Sequence, residues 1–112
     1  MQTNGNPLYV HSLQEFTQMK EETVGGKPLV IDFTASWCPP CKFIGPIYEG
    51  LMAEHPELVM RKIDVDENNE ASQEANVQCM PTFIVYRNGV EADRLEGAST
   101  DNLKALLDNA SR

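Results

Sequence analysis

A short apolar segment places the strongest constraint on what this chain can fold into. Residues 28–34 form a β-branched run that is bounded by turn residues and carries a single charged side chain, Asp32. Such a density of apolar side chains is typical of a strand that is buried on both faces. Because a strand of this kind lies inside a sheet with helices on each side, the segment predicts the central strand of an α/β domain.

Strand and helix patterns alternate along the rest of the chain. Strand patterns fall at residues 8–10, 28–34, 58–65, 82–86 and 90–95. Helical patterns cover residues 13–24 after a Ser12 cap, 40–54, 66–76, and 100–110 after a Ser99 cap. Asn88-Gly89 suits a tight antiparallel hairpin between the last two strands. The 112 residues therefore predict a single three-layer α/β domain over residues 1–112, with a central mixed β-sheet flanked by helices.

Charge and hydropathy exclude two classes of partner. Nine Lys and Arg against 17 Asp and Glu give a net charge of −8, which opposes general affinity for phosphate backbones or anionic lipid. No apolar run approaches the roughly 18 residues of a transmembrane helix. Residues 1–7 also lack the basic start and apolar stretch of a secretory signal. We therefore expect a cytoplasmic protein that binds neither nucleic acid nor membrane.

The residues that carry chemistry follow the central strand directly. Of three cysteines, only Cys38 and Cys41 are close together, and in a reducing compartment such a pair indicates redox chemistry or a metal. A thiolate just outside a helix N-terminus faces unpaired N–H groups and the positive end of the helix dipole, so its pKa falls. Cys38 is therefore the predicted nucleophile. Cys41 is the predicted resolving thiol, because it is close enough to attack a mixed disulfide formed at Cys38.

Three segments around this pair resemble the thioredoxin family. Residues 30–42 read Val-Ile-Asp-Phe-Thr-Ala-Ser-Trp-Cys-Pro-Pro-Cys-Lys, residues 80–83 read Met-Pro-Thr-Phe, and residues 88–89 read Asn-Gly. The match runs in order from about residue 8 to residue 110 and looks closest to the eukaryotic cytosolic type, although Pro39 stands where most thioredoxins have Gly. The resemblance implies the thioredoxin fold and a protein disulfide reductant that a separate flavin enzyme, thioredoxin reductase, recycles with NADPH. The sequence contains no Gly-x-Gly-x-x-Gly fingerprint, so we expect no cofactor bound by the chain itself.

The resemblance also gives roles to two charged residues. A carboxylate in a central strand is costly to bury when ionised, so the pKa of Asp32 should be raised. In the family this aspartate lies behind the dithiol and assists proton transfer at Cys41. Lys62, on the next strand, matches the lysine that the family places near it. The alternatives are an Asp32 side chain that reaches a hydrated edge or a hydrogen-bond partner, and a Lys62 that is an ordinary solvated lysine.

A client-binding surface follows from the same resemblance. The family has a cis proline at Pro81, facing the nucleophile, so that the Met80 backbone can pair with an extended client segment. The candidate substrate-binding residues are Trp37, Pro39, Pro40, Met80, Pro81 and Ala98. The alternative is that Trp37 and Met80 merely close the core.

The third cysteine is a candidate regulatory thiol. Cys79 precedes Met80-Pro81, which places it on the rim of the client surface, and we expect it to be exposed. Oxidation would then join two otherwise monomeric molecules through Cys79 or cap it with glutathione. The alternative is a buried cysteine that packs as a small apolar residue.

Three other functions remain open at this level. A disulfide oxidase or isomerase of the same fold commonly carries His where this chain has Pro40, and the absence of His favours a reductant. A non-catalytic binding module would hold clients at the Trp37 and Pro81 face, but the presence of both cysteines argues against it. Zinc binding by Cys38, Cys41 and Cys79 is third, since only one of the two Cys pairs of a structural site is present.

Overall fold

The computed structural model describes residues 6–112. Residues 1–5, where we expect no secretory signal, lie outside the described residues. In the described range the strands are β1 (Leu29–Thr34), β2 (Val59–Asp64), β3 (Thr82–Arg87) and β4 (Val90–Glu96). The helices are α1 (Leu13–Glu21), α2 (Pro39–Leu51), α3 (Asn69–Glu74) and α4 (Thr100–Ala110), with a 3-10 helix at Met52–Glu54. No helix in this range is long and apolar enough to cross a bilayer.

The strands form one mixed sheet in the order β2-β1-β3-β4. β1 is parallel to β2 and antiparallel to β3, which continues through the hairpin at Asn88-Gly89 into antiparallel β4. Both hairpin residues have the positive φ angles that this tight turn requires. β1 is an inner strand with five of its six residues buried, so the expectation drawn from residues 28–34 is confirmed.

Helices cover both faces of the sheet, which gives the three predicted layers. Leu29, Ile31 and Phe33 of β1 join α1 and α3 in one apolar cluster, whereas Val30 joins α2 and α4 in the other. Side chains alternate along a strand, so Asp32 lies on the same face as Val30, towards α2. The predicted α/β architecture, a mixed sheet flanked by helices, is therefore confirmed, and it places the one acidic residue of β1 beneath the helix that carries the cysteine pair.

The structure differs from the sequence-based prediction at several elements. α1 ends at Glu21 rather than at residue 24, and α2 ends at Leu51, where the 3-10 helix begins. Residues 8–10 form only an isolated bridge, Tyr9 with Lys62, because the chain enters α1 at the Ser12 cap before a longer ladder can form. α2 begins at Pro39, one residue early, since the missing N–H of a proline removes no hydrogen bond in a first turn. α3 is shorter than residues 66–76, because Asp64 Oδ1 accepts hydrogen bonds from the backbone N–H groups of residues 66 and 67 and holds a turn there.

Candidate active site

The cysteine pair lies at the start of α2, just after the loop that follows β1. Cys38 is the N-cap of α2, and its Sγ accepts a hydrogen bond from the Cys41 backbone N–H at 3.2 Å. The two sulfur atoms are joined in a disulfide, and each cysteine is 4% exposed. An N–H group and a helix N-terminus aimed at one sulfur stabilise negative charge on it. In the reduced protein this environment favours the thiolate form of Cys38.

Asp32 is buried on the face of β1 that is turned towards α2, and one of its carboxyl oxygens has no hydrogen-bond partner in residues 6–112. Its side chain is 1% exposed, and Oδ1 accepts no hydrogen bond from any residue in the described range. Burial raises the pKa of Asp32 from the usual 3.8 to about 7, while the charge of Lys62 acts in the opposite direction and that of Glu49 adds to the increase. The side chain therefore does not reach an exposed edge of the sheet. A group with this pKa can both accept and release a proton near neutral pH.

Lys62 is buried, so it is not an ordinary solvated lysine, and its partner is Glu49, a residue that the sequence analysis does not single out. The backbone of Lys62 in β2 lies opposite that of Asp32 in β1. The side chain of Lys62 nevertheless donates a hydrogen bond from Nζ to Glu49 Oε2, at 2.8 Å. Burial lowers the pKa of Lys62, but the hydrogen bond to Glu49 and the charge of Asp32 outweigh this effect, so the pKa lies above its usual value. Cys41, Gly45 and Glu49 are spaced at intervals of four, which is the one signal in the sequence that puts Glu49 on the helix face of the cysteine.

A groove of about 340 Å³ connects these groups with the surface. Its lining includes Cys41, Gly45, Glu49, Lys62 and Tyr9. Gly45 lines the groove next to Lys62, where a Cβ would stand 3.6 Å from Lys62 Nζ, an ordinary van der Waals distance. Cys41 and the ion pair of Lys62 with Glu49 therefore share one opening, on the side of the molecule where α2 and β2 meet.

The second wall of the site comes from the start of β3. The Met80–Pro81 peptide bond is cis, as the resemblance implies, and the Met80 carbonyl oxygen lies 3.7 Å from Cys38 Sγ. The Gly97 N–H donates a hydrogen bond to the Pro81 carbonyl at 2.9 Å, which ties the end of β4 to this segment. Ala98 follows Gly97 directly, so the fold brings the segment of Ala98 and the segment of Pro81 to the same end of the sheet.

The remaining candidate client-binding residues differ in exposure. Trp37, Pro39 and Pro40 are exposed, Met80 and Ala98 are half-buried, and Pro81 is buried. Trp37 is 60% exposed, and its Nε1 donates a hydrogen bond to Asp66 Oδ2 at 2.8 Å. Trp37 therefore does not close the core. Asp66, which the sequence analysis did not single out, follows β2 at the carboxyl edge of the parallel pair and so meets the residue that follows β1.

Comparison with known proteins decides the family. The thioredoxin family model matches residues 8–109. The chain belongs to the thioredoxin family. It is 44% identical over 104 residues to a thioredoxin H-type from Oryza sativa subsp. indica, covering 92% of this chain and 85% of that protein. It is 38% identical over 109 residues to thioredoxin H3 from Arabidopsis thaliana, covering 96% and 92%. The crystal structure of thioredoxin NaTrxh from Nicotiana alata superposes with a TM-score of 0.87 at 33% identity, covering 94% of this chain and 92% of that one.

Family membership and the close cysteine pair settle the class of activity. This thioredoxin is a protein-disulfide oxidoreductase of the dithiol–disulfide reductant type. Neither an oxidase or isomerase nor a non-catalytic binding module is favoured. Zinc binding has no geometric support in residues 6–112, where no three His, Cys, Asp or Glu side chains are grouped so that they could hold a metal ion.

Cys79 is the free thiol of this thioredoxin, and it is exposed. Its carbonyl oxygen accepts a hydrogen bond from Thr82 Oγ1 at 2.6 Å, which fixes the backbone of the segment before β3. The alternative of a buried apolar cysteine is therefore wrong. Its position two residues before Pro81 places it beside the wall that carries the Met80 carbonyl.

Proposed function

We propose that this thioredoxin reduces disulfides of client proteins in the cytoplasm, as a monomer that binds neither nucleic acid nor membrane and holds no cofactor of its own. The observation that carries the proposal is the Cys38–Cys41 pair at the N-terminus of α2, with the Cys41 N–H on the Cys38 sulfur. Clients dock on the surface around Trp37 and pair with the backbone of Met80. That backbone lies within 3.7 Å of the Cys38 sulfur, which supports this placement.

The first step is attack by the Cys38 thiolate on one sulfur of the client disulfide. A bond forms between Cys38 Sγ and that sulfur, and the other client sulfur leaves with the electron pair and takes up a proton. The environment of Cys38 supports its role as the attacking thiol, because the Cys41 N–H and the helix dipole hold its negative charge. The product is a mixed disulfide between Cys38 and the client.

Cys41 resolves the mixed disulfide in the second step. Its thiol gives a proton to Asp32, and the resulting thiolate attacks Cys38 Sγ, so that the Cys38–Cys41 bond forms. The bond from Cys38 to the client breaks, and the client sulfur leaves with its electron pair and takes up a proton. The client gains two electrons and two protons in all, and the protein ends in the oxidised state seen in the structure. Asp32, with a pKa of about 7, is suited to accept the Cys41 proton and release it afterwards.

A thiol-trapping experiment tests the two cysteine roles. The variant Cys41→Ser, made together with Cys79→Ser so that one thiol remains, should accumulate mixed disulfides with oxidised clients that dithiothreitol releases. The matched control combines Cys38→Ser with Cys79→Ser and should trap far less, since its remaining thiol is the resolving one. Equal trapping by both variants, or more by the control, would overturn the assignment.

The electron source is the second part of the proposal. NADPH supplies the electrons through a separate flavin protein, thioredoxin reductase, as family membership leads us to expect. Mixed with that enzyme and insulin, the protein should support NADPH oxidation that depends on its own concentration, and Cys38→Ser should abolish it. Recycling by glutathione alone, with no turnover by the reductase, would contradict this assignment.

A further inference from the structure

The ammonium group of Lys62 has two carboxyl groups available and is bonded to only one. Asp32 and Lys62 are register partners on adjacent strands, but among the described residues Lys62 forms its ion pair with Glu49, at 2.8 Å. The Asp32 Oδ1 is left without a hydrogen bond. The half-exposed carboxyl of Glu49, rather than the buried carboxyl of Asp32, therefore holds the ammonium group of Lys62.

The two members of this ion pair differ in burial. The Lys62 side chain is 8% exposed, whereas that of Glu49 is 44% exposed. Glu49 therefore stands at the mouth of the groove, and the Lys62 side chain reaches outwards to it from β2. The ring of Tyr9 lies 5.4 Å from Lys62 Nζ on the same side, which favours this position of the cation further.

We propose that Glu49 is a positioning residue that holds the Lys62 ammonium at the mouth of the groove, away from Asp32, so that Asp32 remains able to take up the proton of Cys41. The inference rests on the proposed role of Asp32. An ammonium in direct contact with a buried carboxylate would stabilise its ionised form strongly and make it a poor proton acceptor. Glu49 prevents that contact by supplying a more accessible acceptor for the same cation.

Other groups that face Asp32 do not provide this control. From α2, Tyr48 donates its hydroxyl to the backbone oxygens of Val30 and Arg61, and burial keeps its pKa well above the usual value, so it stays neutral. Cys41 is the proton donor in the proposed reaction. Opposite Asp32 on β3 stands Phe83, and α4 contributes leucines to this face. Lys62 and Glu49 are therefore the charged pair through which the state of Asp32 is set.

Replacing Glu49 by a neutral residue should lower the pKa of Asp32. Glu49→Gln removes a negative charge that opposes ionisation of Asp32, and it also frees Lys62 to turn inwards. Both effects lower the pKa of Asp32, by about one unit together. Lys62→Met should raise it. Glu54→Gln is the matched control, because Glu54 lies exposed on the 3-10 helix that follows α2 and should leave the titration unchanged.

The measurement is the ¹³C carboxyl shift of Asp32 against pH in the oxidised protein, where neither active-site cysteine titrates. Combining Glu49→Gln with Lys62→Met separates positioning from simple repulsion. If Glu49 acts through Lys62, Glu49→Gln should change the pKa of Asp32 much less in the Lys62→Met background than in the wild type. An equally large effect in the Lys62→Met background, or no shift in Glu49→Gln alone, would overturn the proposal.

A second readout links the positioning to turnover. The rising limb of the pH profile for client reduction should move to lower pH in Glu49→Gln by the same amount as the Asp32 titration, and Glu54→Gln should leave it in place. If the pKa of Asp32 fell in Glu49→Gln but the rising limb of the pH profile did not move, the connection between this positioning and turnover would be overturned. Asp32→Asn tests the proposed function separately: an unchanged profile in that variant removes Asp32 from the mechanism, while the carboxyl titrations still decide how Glu49 positions Lys62.

Discussion

The buried carboxyl of Asp32 should cost stability in a way that depends on pH. Its pKa rises from 3.8 to about 7 on folding, so between these values the folded protein holds a proton that the unfolded chain has lost. The stability that this proton contributes is fully present below pH 3.8 and is lost as pH rises through 7. At about 1.4 kcal/mol per pKa unit, the full loss comes to about 4 kcal/mol.

Asp32→Asn removes the titration but keeps the size of the side chain. The variant should therefore be more stable than the wild type by about 1 kcal/mol at pH 4.5 and about 4 kcal/mol at pH 8, while its rate of client reduction falls. The assay is urea denaturation of both oxidised proteins at pH 4.5, 6 and 8, with Glu54→Gln as the exposed control. A stability difference that is the same at all three pH values would refute the reasoning, since it would place the ionisation of Asp32 outside the folding equilibrium.

Two further predictions do not depend on proton transfer to Asp32. Tyr48→Phe should lower the free energy of unfolding by about 1 kcal/mol in urea denaturation, because the buried carbonyls of Val30 and Arg61 lose their shared donor; an unchanged value would mean that this hydroxyl contributes nothing net. Native Cys79 should react with a bulky maleimide, and mild peroxide should give a dimer on non-reducing electrophoresis that Cys79→Ser abolishes. A dimer that persists in this variant would assign the link to another thiol.

The parts of the fold that the sequence predicts well depend on local interactions. Ser12 and Ser99 cap α1 and α4 as predicted, with side-chain oxygens that accept hydrogen bonds from N–H groups three residues on. The hairpin at residues 88–89 also depends on two adjacent torsions. In contrast, the pattern for residues 66–76 does not show that the side chain of Asp64 competes for the first N–H groups. Helix periodicity is insensitive to such local competition.

The candidate site divides in the same way. The cysteines are found from their spacing and from the helix that follows, because both lie within four residues of each other. The bond between Trp37 and Asp66 spans 29 positions and depends on how the ends of β1 and β2 meet. Each partner is an ordinary residue for its place, so no pattern in the sequence connects the two.

Asp32 and Glu49 show why two residues of similar chemistry differ in how easily they are found. A charge in an inner strand conflicts with every neighbouring apolar residue, and a penalty of about 4 kcal/mol is a large part of the 5–15 kcal/mol by which domains are stable. Such a residue persists only where function requires it, so the conflict itself marks the site. Glu49 causes no such conflict, because a half-exposed glutamate on a helix keeps its charge hydrated. Its importance follows from the 2.8 Å contact with Lys62 across α2 and β2, and that contact exists only once the chain has folded.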